Sequence, residues 1–524
     1  MRRASERVHA VVVLCAAIAA CGKGADPRST SGGSATSTTP SASTAATGGG
    51  EGGAGGSRAG DGAGGAGGFL SDVLPSDPDC DETGNVDGTT AGLFNVGKQN
   101  AYVFGGFLGP GSNIIARMKF PNGTSTLLPV QGLVSAADLR AIAGTPLGDA
   151  IAVAATPLNP GKPVVWKYSS DWLVGPLPLV ESPGVAQPIH ALAFSPDGRW
   201  LAMLAELELD DAVALYVVAA DGSTPTPIRV SHAPTDASRD VLRFAWAKTV
   251  DADHARIAFL ADAELDEVVG VYTADVVVGG EPTALLDASE IAAGMGATPT
   301  SFGWDASDRV YFGSRHEGSM TPRVYRAHAT GGAVEPVAVT EIKSGSGFAQ
   351  VPSFALSPDG QRIAFAANAP TKSLFEVYVA PVDGAEPMRV SKVQKAPPTA
   401  STRGASSPAE PVWSPDGTRL AVLADWEVLP GDKDDALTAF VLPTDVPGGL
   451  RAIAPSGSAL LDLQWVAFSR DSKRVYAVGE LLQDERIDLY SAPAGGKGDV
   501  PPLLALAQAS AGGTGGVRGV IDAP

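Results

Sequence analysis

VWSPDGTRLAVLADW, residues 412–426, sets a short apolar run before Ser-Pro-Asp-Gly and a second apolar run directly after it. Near-copies stand at AFSPDGRWLAML (193–204) and ALSPDGQRIAFAA (355–367). Proline presets φ at the first central position of a turn, Asp bonds nearby backbone, and glycine takes the positive φ that completes it. Each copy therefore predicts two antiparallel strands joined by a tight turn. The motif reads as structural punctuation, not as an active site. WDASD (304–308) and SRDS (469–472) keep the place of the turn without proline and glycine, so the flanking strands are expected to set the register there.

Aligning the first aliphatic residue after each turn gives Ile151, Leu201, Ile257, Val310, Ile363, Leu420 and Val475, with gaps of 50 to 57 residues. Each unit reads as four strands. Residues 350–391 supply QVPSFALS, RIAFAA, LFEVYVAPVDG and EPMRVS; residues from 189 on supply IHALAF, RWLAML, AVALYVVAADG and TPIRVS. One four-stranded sheet leaves both faces uncovered, whereas stacking such sheets around an axis buries both. The fold class is therefore all-β, a β-propeller of four-stranded blades. TTAGLFNV, NAYVFGGF, SNIIARMKFPNG and TSTLLPV, within residues 89–131, fit one more blade without an SPDG turn. The count is eight blades, with seven as the alternative; VRGVIDA (517–523) is a candidate closing strand.

SPDG followed by R-[IL]-A-[FV], then [LV]-Y-V and a short turn, resembles the TolB-type propeller repeat, a WD-like family. The resemblance covers residues 139–505. It implies a propeller of the bacterial envelope that works by binding, although fold alone does not dictate function. Related propellers also occur fused to serine peptidases. The G-x-S-x-G nucleophile elbow of those enzymes is absent here, and Ser414-Pro415-Asp416-Gly417 lacks the spacer of a sialidase-type Asp box.

The N-terminus carries Arg2, Arg3 and Arg7, an apolar core over Ala10–Ala17, then Ile18-Ala19-Ala20-Cys21. Small residues ending on cysteine resemble a bacterial lipobox, which implies cleavage before Cys21 and acylation of that residue. Residues 1–20 are the expected signal peptide, 21–81 the lipidated cysteine and a disordered Gly/Ser/Thr-rich tether, and 82–524 the propeller. Residues 22–68 hold no Val, Ile, Leu, Met, Phe, Tyr or Trp. Such a segment buries too little apolar surface to offset chain entropy, and its length gives a mean reach of roughly 35–40 Å. Cleavage would take the formal charge from −19 to −21, the opposite sign to a nucleic-acid binder. Cys80 would then be the only thiol left unmodified, so internal disulfides are not expected. Gly22 in place of Asp after the cysteine favours the outer membrane in that family. The protein is expected to face the periplasm or the cell surface.

The candidate binding residues are the carboxylates between second and third strands. They are Glu206, Glu208, Asp210 and Asp211; Asp262, Glu264, Asp266 and Glu267; Asp425, Glu427, Asp432, Asp434 and Asp435; and Glu480, Asp484 and Glu485. Equivalent loops lie on one face of a propeller. That face is expected to carry two acidic arcs, parted by sectors holding Arg315, Arg323, Lys372 and the basic insertion 392–410, and able to steer a basic protein or collect divalent cations. Asp77, Asp79 and Asp81 alternate like the start of a calcium loop, but Glu82 stands where that loop needs glycine and Gly88 where it needs glutamate. No cofactor is expected, and Ca2+ is a minor alternative. The five histidines after the signal lie far apart, with no local zinc pair. The reading is a membrane-anchored, non-enzymatic scaffold whose partner is an envelope protein or surface polymer. The alternatives are a hydrolase or lyase with a site in the central channel, and cation-dependent carbohydrate binding.

Overall fold

The computed structural model describes the strands and adjoining turns between residues 92 and 495. The expected signal peptide over residues 1–20, the expected tether over 21–81 with Cys21, Asp77, Asp79, Cys80 and Asp81, and the stretch VRGVIDA lie outside the described residues. The strands form eight successive antiparallel sheets, seven of four strands and the last of three, each sheet in plain chain order. Blade 1 runs from Gly92–Asn95 to Thr124–Leu128, blade 2 from Leu139–Gly144 to Leu177–Glu181, and blade 3 from Ile189–Phe194 to Ile228–Arg229. Blade 4 runs from Val241–Trp246 to Thr283–Leu286, blade 5 from Phe302–Trp304 to Glu335–Pro336, and blade 6 from Phe354–Leu356 to Met388–Arg389. Blade 7 runs from Val412–Trp413 to Arg451–Ala452, and blade 8 from Asp462–Phe468 to Ile487–Pro493. A two-residue-stranded hairpin, Lys343–Ser344 with Gly347–Phe348, fills the passage from blade 5 to blade 6.

The core is divided among the seams between blades. In the second strand of blade 3, Trp200–Ala205, residues Leu201, Met203 and Ala205 pack toward blade 2, while Ala202 and Leu204 join a cluster that reaches blade 4. Both faces of the strand are buried, because side chains alternate and each face meets a neighbouring sheet. This is why the strands read as near-continuous apolar runs rather than as half-polar alternations.

The turns repeat one geometry. Ser195 donates from Oγ to Asp197 Oδ1 at 2.5 Å and accepts the Trp200 N–H at 3.0 Å, while Gly198 sits at φ 73°. Ser357 with Asp359 and Ser414 with Asp416 do the same at 2.5 and 2.6 Å. At 469–472, Ser469 donates to Asp471 Oδ1 at 2.7 Å, and Ser472 takes φ 58° in the place of glycine. Asp308 takes φ 60° in the turn of blade 5. Register in those two turns is thus held by the turn's own hydroxyl or carboxylate as well as by the strands. Burial works against charge on Asp197, Asp359, Asp416 and Asp471. The hydroxyl and amide donors outweigh it and hold all four below the usual aspartate range.

Polar ties cross the seams from blade 3 to blade 5 and from blade 6 to blade 8. The Trp just before the turn donates from Nε1 to a carbonyl of the preceding blade: Trp246 to Ala193 O at 3.1 Å, Trp304 to Ala245 O at 3.1 Å, and Trp413 to Ala355 O at 3.0 Å. The arginine opening the second strand reaches forward to the next blade's turn. Arg256 meets Asp308 at 2.5 Å, Arg362 the Gly417 carbonyl at 2.7 Å, and Arg419 the Ser472 carbonyl at 3.1 Å. Blades 4 to 7 are therefore each bonded backward by a tryptophan or forward by an arginine.

The expected loop at 262–267 is corrected. The second strand of blade 4 is Arg256–Leu265 and the third is Val268–Asp275, with Leu265 opposite Val268, so Asp262 and Glu264 lie within a strand. Glu480 likewise ends a strand, Arg474–Glu480. A bulge between Ala261 and Leu265 lets the pair run on past the sheet edge.

Candidate functional site

The candidate carboxylates fall into three groups. Asp210, Asp211, Asp266, Glu267, Asp425, Glu427, Asp432, Asp434, Asp435, Asp484 and Glu485 lie outside the described residues. Glu264 and Glu480 are placed only as strand positions. Glu206, Glu208 and Asp262 are described in full. Glu208 is exposed and pairs with Arg229 of the same blade.

Glu206 and Asp262 depart from the expected exposed face: both are buried, at 7% relative exposure each. The reason is positional. They stand five residues after Leu201 and Ile257, where the second strand passes the chain entering the first strand. Glu206 Oε1 lies 2.7 Å from His190 Nε2, and Asp262 Oδ1 accepts the Asp240 N–H. Asn368, five residues after Ile363, accepts the Gln350 N–H on Oδ1 at 2.7 Å. Asp240 in turn accepts the Val213 N–H at 2.7 Å and so ties blade 4 to blade 3. A polar residue at this position clasps the start of its own blade. The sequence held the signal, since Glu206, Asp262 and Asn368 share one offset from the turn, but charge counting hid it.

The first strands converge on the axis. Arg243 of blade 4 and Glu410, just before the first strand of blade 7, approach to 3.8 Å although blades 5 and 6 intervene in sequence. Their side chains are 16% and 10% exposed, and the Arg243 guanidinium lies 5.8 Å from the Phe302 ring centroid. Lys248 of blade 4 donates to the Ser357 carbonyl of blade 6 at 2.7 Å. Burial pushes its ammonium down to about 8, against the opposing pull of Asp359 and Asp305. Among the described residues no group of three or more His, Cys, Asp and Glu is placed to hold a metal ion. Chemically, these groups span the axis and fix the blades.

No protein-family model matches the sequence. No curated protein matches it either. Solved structures do. Dipeptidyl peptidase 4 of Porphyromonas gingivalis superimposes with a TM-score of 0.50 at 11% identity, over 79% of this chain and 60% of that one. The chain is a β-propeller. A TolB-type protein of Agrobacterium tumefaciens matches 52% of this chain and 81% of its own at 17% identity and a TM-score of 0.30. A prolyl endopeptidase matches 74% of this chain at 12% identity and a TM-score of 0.44, and this propeller chain spans 54% of that enzyme's length. At such identities the likeness concerns the fold.

Proposed function

We propose that this β-propeller is a lipid-anchored envelope protein that works as a non-enzymatic binding scaffold for an envelope protein or surface polymer. The observation that carries the reading is the use made of the polar side chains near the axis and at the turns. His190, Arg243, Lys248, Asp262 and the turn aspartates are bonded to other parts of the same ring. A ring braced in this way holds its strands rigidly and offers its outer loops and edges to partners. The lipobox at Cys21 and the apolar-free stretch 22–68 support anchoring at a distance from the membrane surface.

Two measurements test the reading. In fractionated cells the full chain is expected in the membrane pellet and the Cys21→Ser chain in the soluble envelope fraction; a Cys21→Ser chain that stays in the pellet overturns the anchor. Chemical crosslinking in whole cells is expected to give a discrete crosslinked species. Turnover of ester, amide or glycoside substrates by the purified protein would overturn the non-enzymatic half.

A further inference from the structure

A groove of about 620 Å3 lies on the outer wall, between the last strand of blade 3 (Ile228–Arg229) and the outer turn of blade 4. Its walls include Pro227, Ile228 and Val278, with Arg229 and Glu281 as its charged groups. At neighbouring seams the outer turn rests on the preceding outer strand. A Cβ added to Gly222 would lie 3.3 Å from Leu177 Cδ1, and one on Gly331 would lie 3.4 Å from Thr283 Cγ2. A Cβ on Gly279 would meet nothing within 4 Å, so here the seam stands open. Val278 beside it is 85% exposed, an apolar side chain set against the opening.

The floor of this groove is a free strand edge with its register fixed. The Val230 N–H donates to the Leu215 carbonyl at 2.9 Å, which makes those two a hydrogen-bonded pair. Such pairs alternate along an antiparallel ladder. Arg229 opposite Tyr216 is therefore a non-bonded pair, and the N–H and C=O of Arg229 point outward from the sheet. Those two groups match one residue of an added strand. The charges select its chemistry. Arg229 is already neutralised by Glu208. Glu281 is exposed and forms no ion pair among the described residues. An incoming strand thus meets apolar side chains interspersed with the hydroxyls of Ser223, Thr224, Thr226 and Ser231, and one carboxylate with no ion pair among the described residues.

We infer that this groove binds an extended basic peptide segment of a partner, added as a fifth strand to blade 3 through the Arg229 backbone, with an apolar side chain against Val278 and a cationic one at Glu281. The assignment rests on the scaffold reading and names a partner class for it.

The test is a fluorescence-anisotropy titration of the full chain in detergent with a labelled alternating Lys-Val peptide. The comparison probes are the Glu-Val counterpart and a Lys-Val peptide with N-methylated backbone. Arg229→Ala keeps the outward N–H and Arg229→Pro removes it at an edge where proline is tolerated. Binding of the Lys-Val peptide is expected, with about tenfold weaker binding to Arg229→Pro than to Arg229→Ala, the loss of roughly one backbone hydrogen bond. Glu281→Gln is expected to erase most of the preference for Lys-Val over Glu-Val. Matching thermal melts of the two Arg229 variants show that both fold. Equal binding by the two variants, equal binding of the N-methylated peptide, or no binding of Lys-Val overturns the groove assignment. A crosslinked partner still captured by Arg229→Pro would sink the groove and leave the scaffold reading standing.

Discussion

The indole Nε1 of Trp413 donates to the Ala355 carbonyl oxygen at 3.0 Å, and the Arg362 guanidinium lies 4.9 Å from the centroid of the same indole. One side chain of blade 7 is thus held by two residues of blade 6. Trp413→Phe keeps most of the apolar volume and removes the donor, leaving the Ala355 carbonyl with only its bond inside the sheet, to Ala364. The expected cost is about 0.5–1.5 kcal/mol, read as a lower urea midpoint. Arg362→Met in the Trp413→Phe background should then cost less than in the parent, because the stacking partner is already altered.

Gly360 tests how tightly the turns pack. Its φ is 68°, and a Cβ there would lie 2.6 Å from the Ala306 backbone nitrogen. Gly279 has φ 72° and open space. Gly279→Ala should cost about 1–2 kcal/mol from backbone conformation alone. Gly360→Ala adds overpacking against backbone and should cost about 1–3 kcal/mol more. Equal losses in denaturant melts would contradict the packed turns of blades 5 and 6.

Lys248 gives a pH dependence with a definite sign. Its folded value of about 8 lies below the ordinary lysine value. Between the two, the unfolded chain binds more protons, so the destabilisation from burying the ammonium is present in full below about pH 8 and is relieved as pH rises through that window. Lys248→Met should be more stable than the parent at pH 7, and the difference should shrink as pH rises from 8 toward 10. Urea midpoints at pH 7, 8.5 and 10 give the comparison. A difference that grows with pH contradicts the burial of a charged amine.

The turn aspartates have the opposite sign. Asp416 accepts Ser414 Oγ at 2.6 Å, Thr418 Oγ1 at 2.8 Å and the Thr418 N–H at 3.0 Å, and its carboxyl lies below the usual range. Its contribution is present above the unfolded aspartate value and is lost as pH falls through the folded one. Asp416→Asn should lower the midpoint at pH 7 and flatten the acid limb between pH 5 and pH 2. An unchanged acid limb would show that the carboxylate gains nothing from its donors.

The period of the SPDG turns made the blades legible, because a strand buried on both faces leaves an apolar run that turn residues must interrupt. Even blade 1, without the motif, has its four strands where NAYVFGGF and its neighbours indicated. The site was harder to read. The acidic residues after the second strands looked alike, yet Glu206 and Asp262 are buried hydrogen-bonding clasps while Glu208 is exposed. Charge reports composition; the offset from the turn reports direction. The Arg243–Glu410 approach and the groove at Arg229 join residues from different blades, and no local pattern marks either.

The first strands converge on one axis and are braced across it by their own polar side chains. A double-mutant cycle with Arg243→Gln, Glu410→Gln and the pair tests it most directly, since the two residues come from blades 4 and 7 and lie 3.8 Å apart. A coupling of at least about 0.5–1 kcal/mol in urea denaturation is expected, as for groups in contact. Strict additivity of the two substitutions would contradict it.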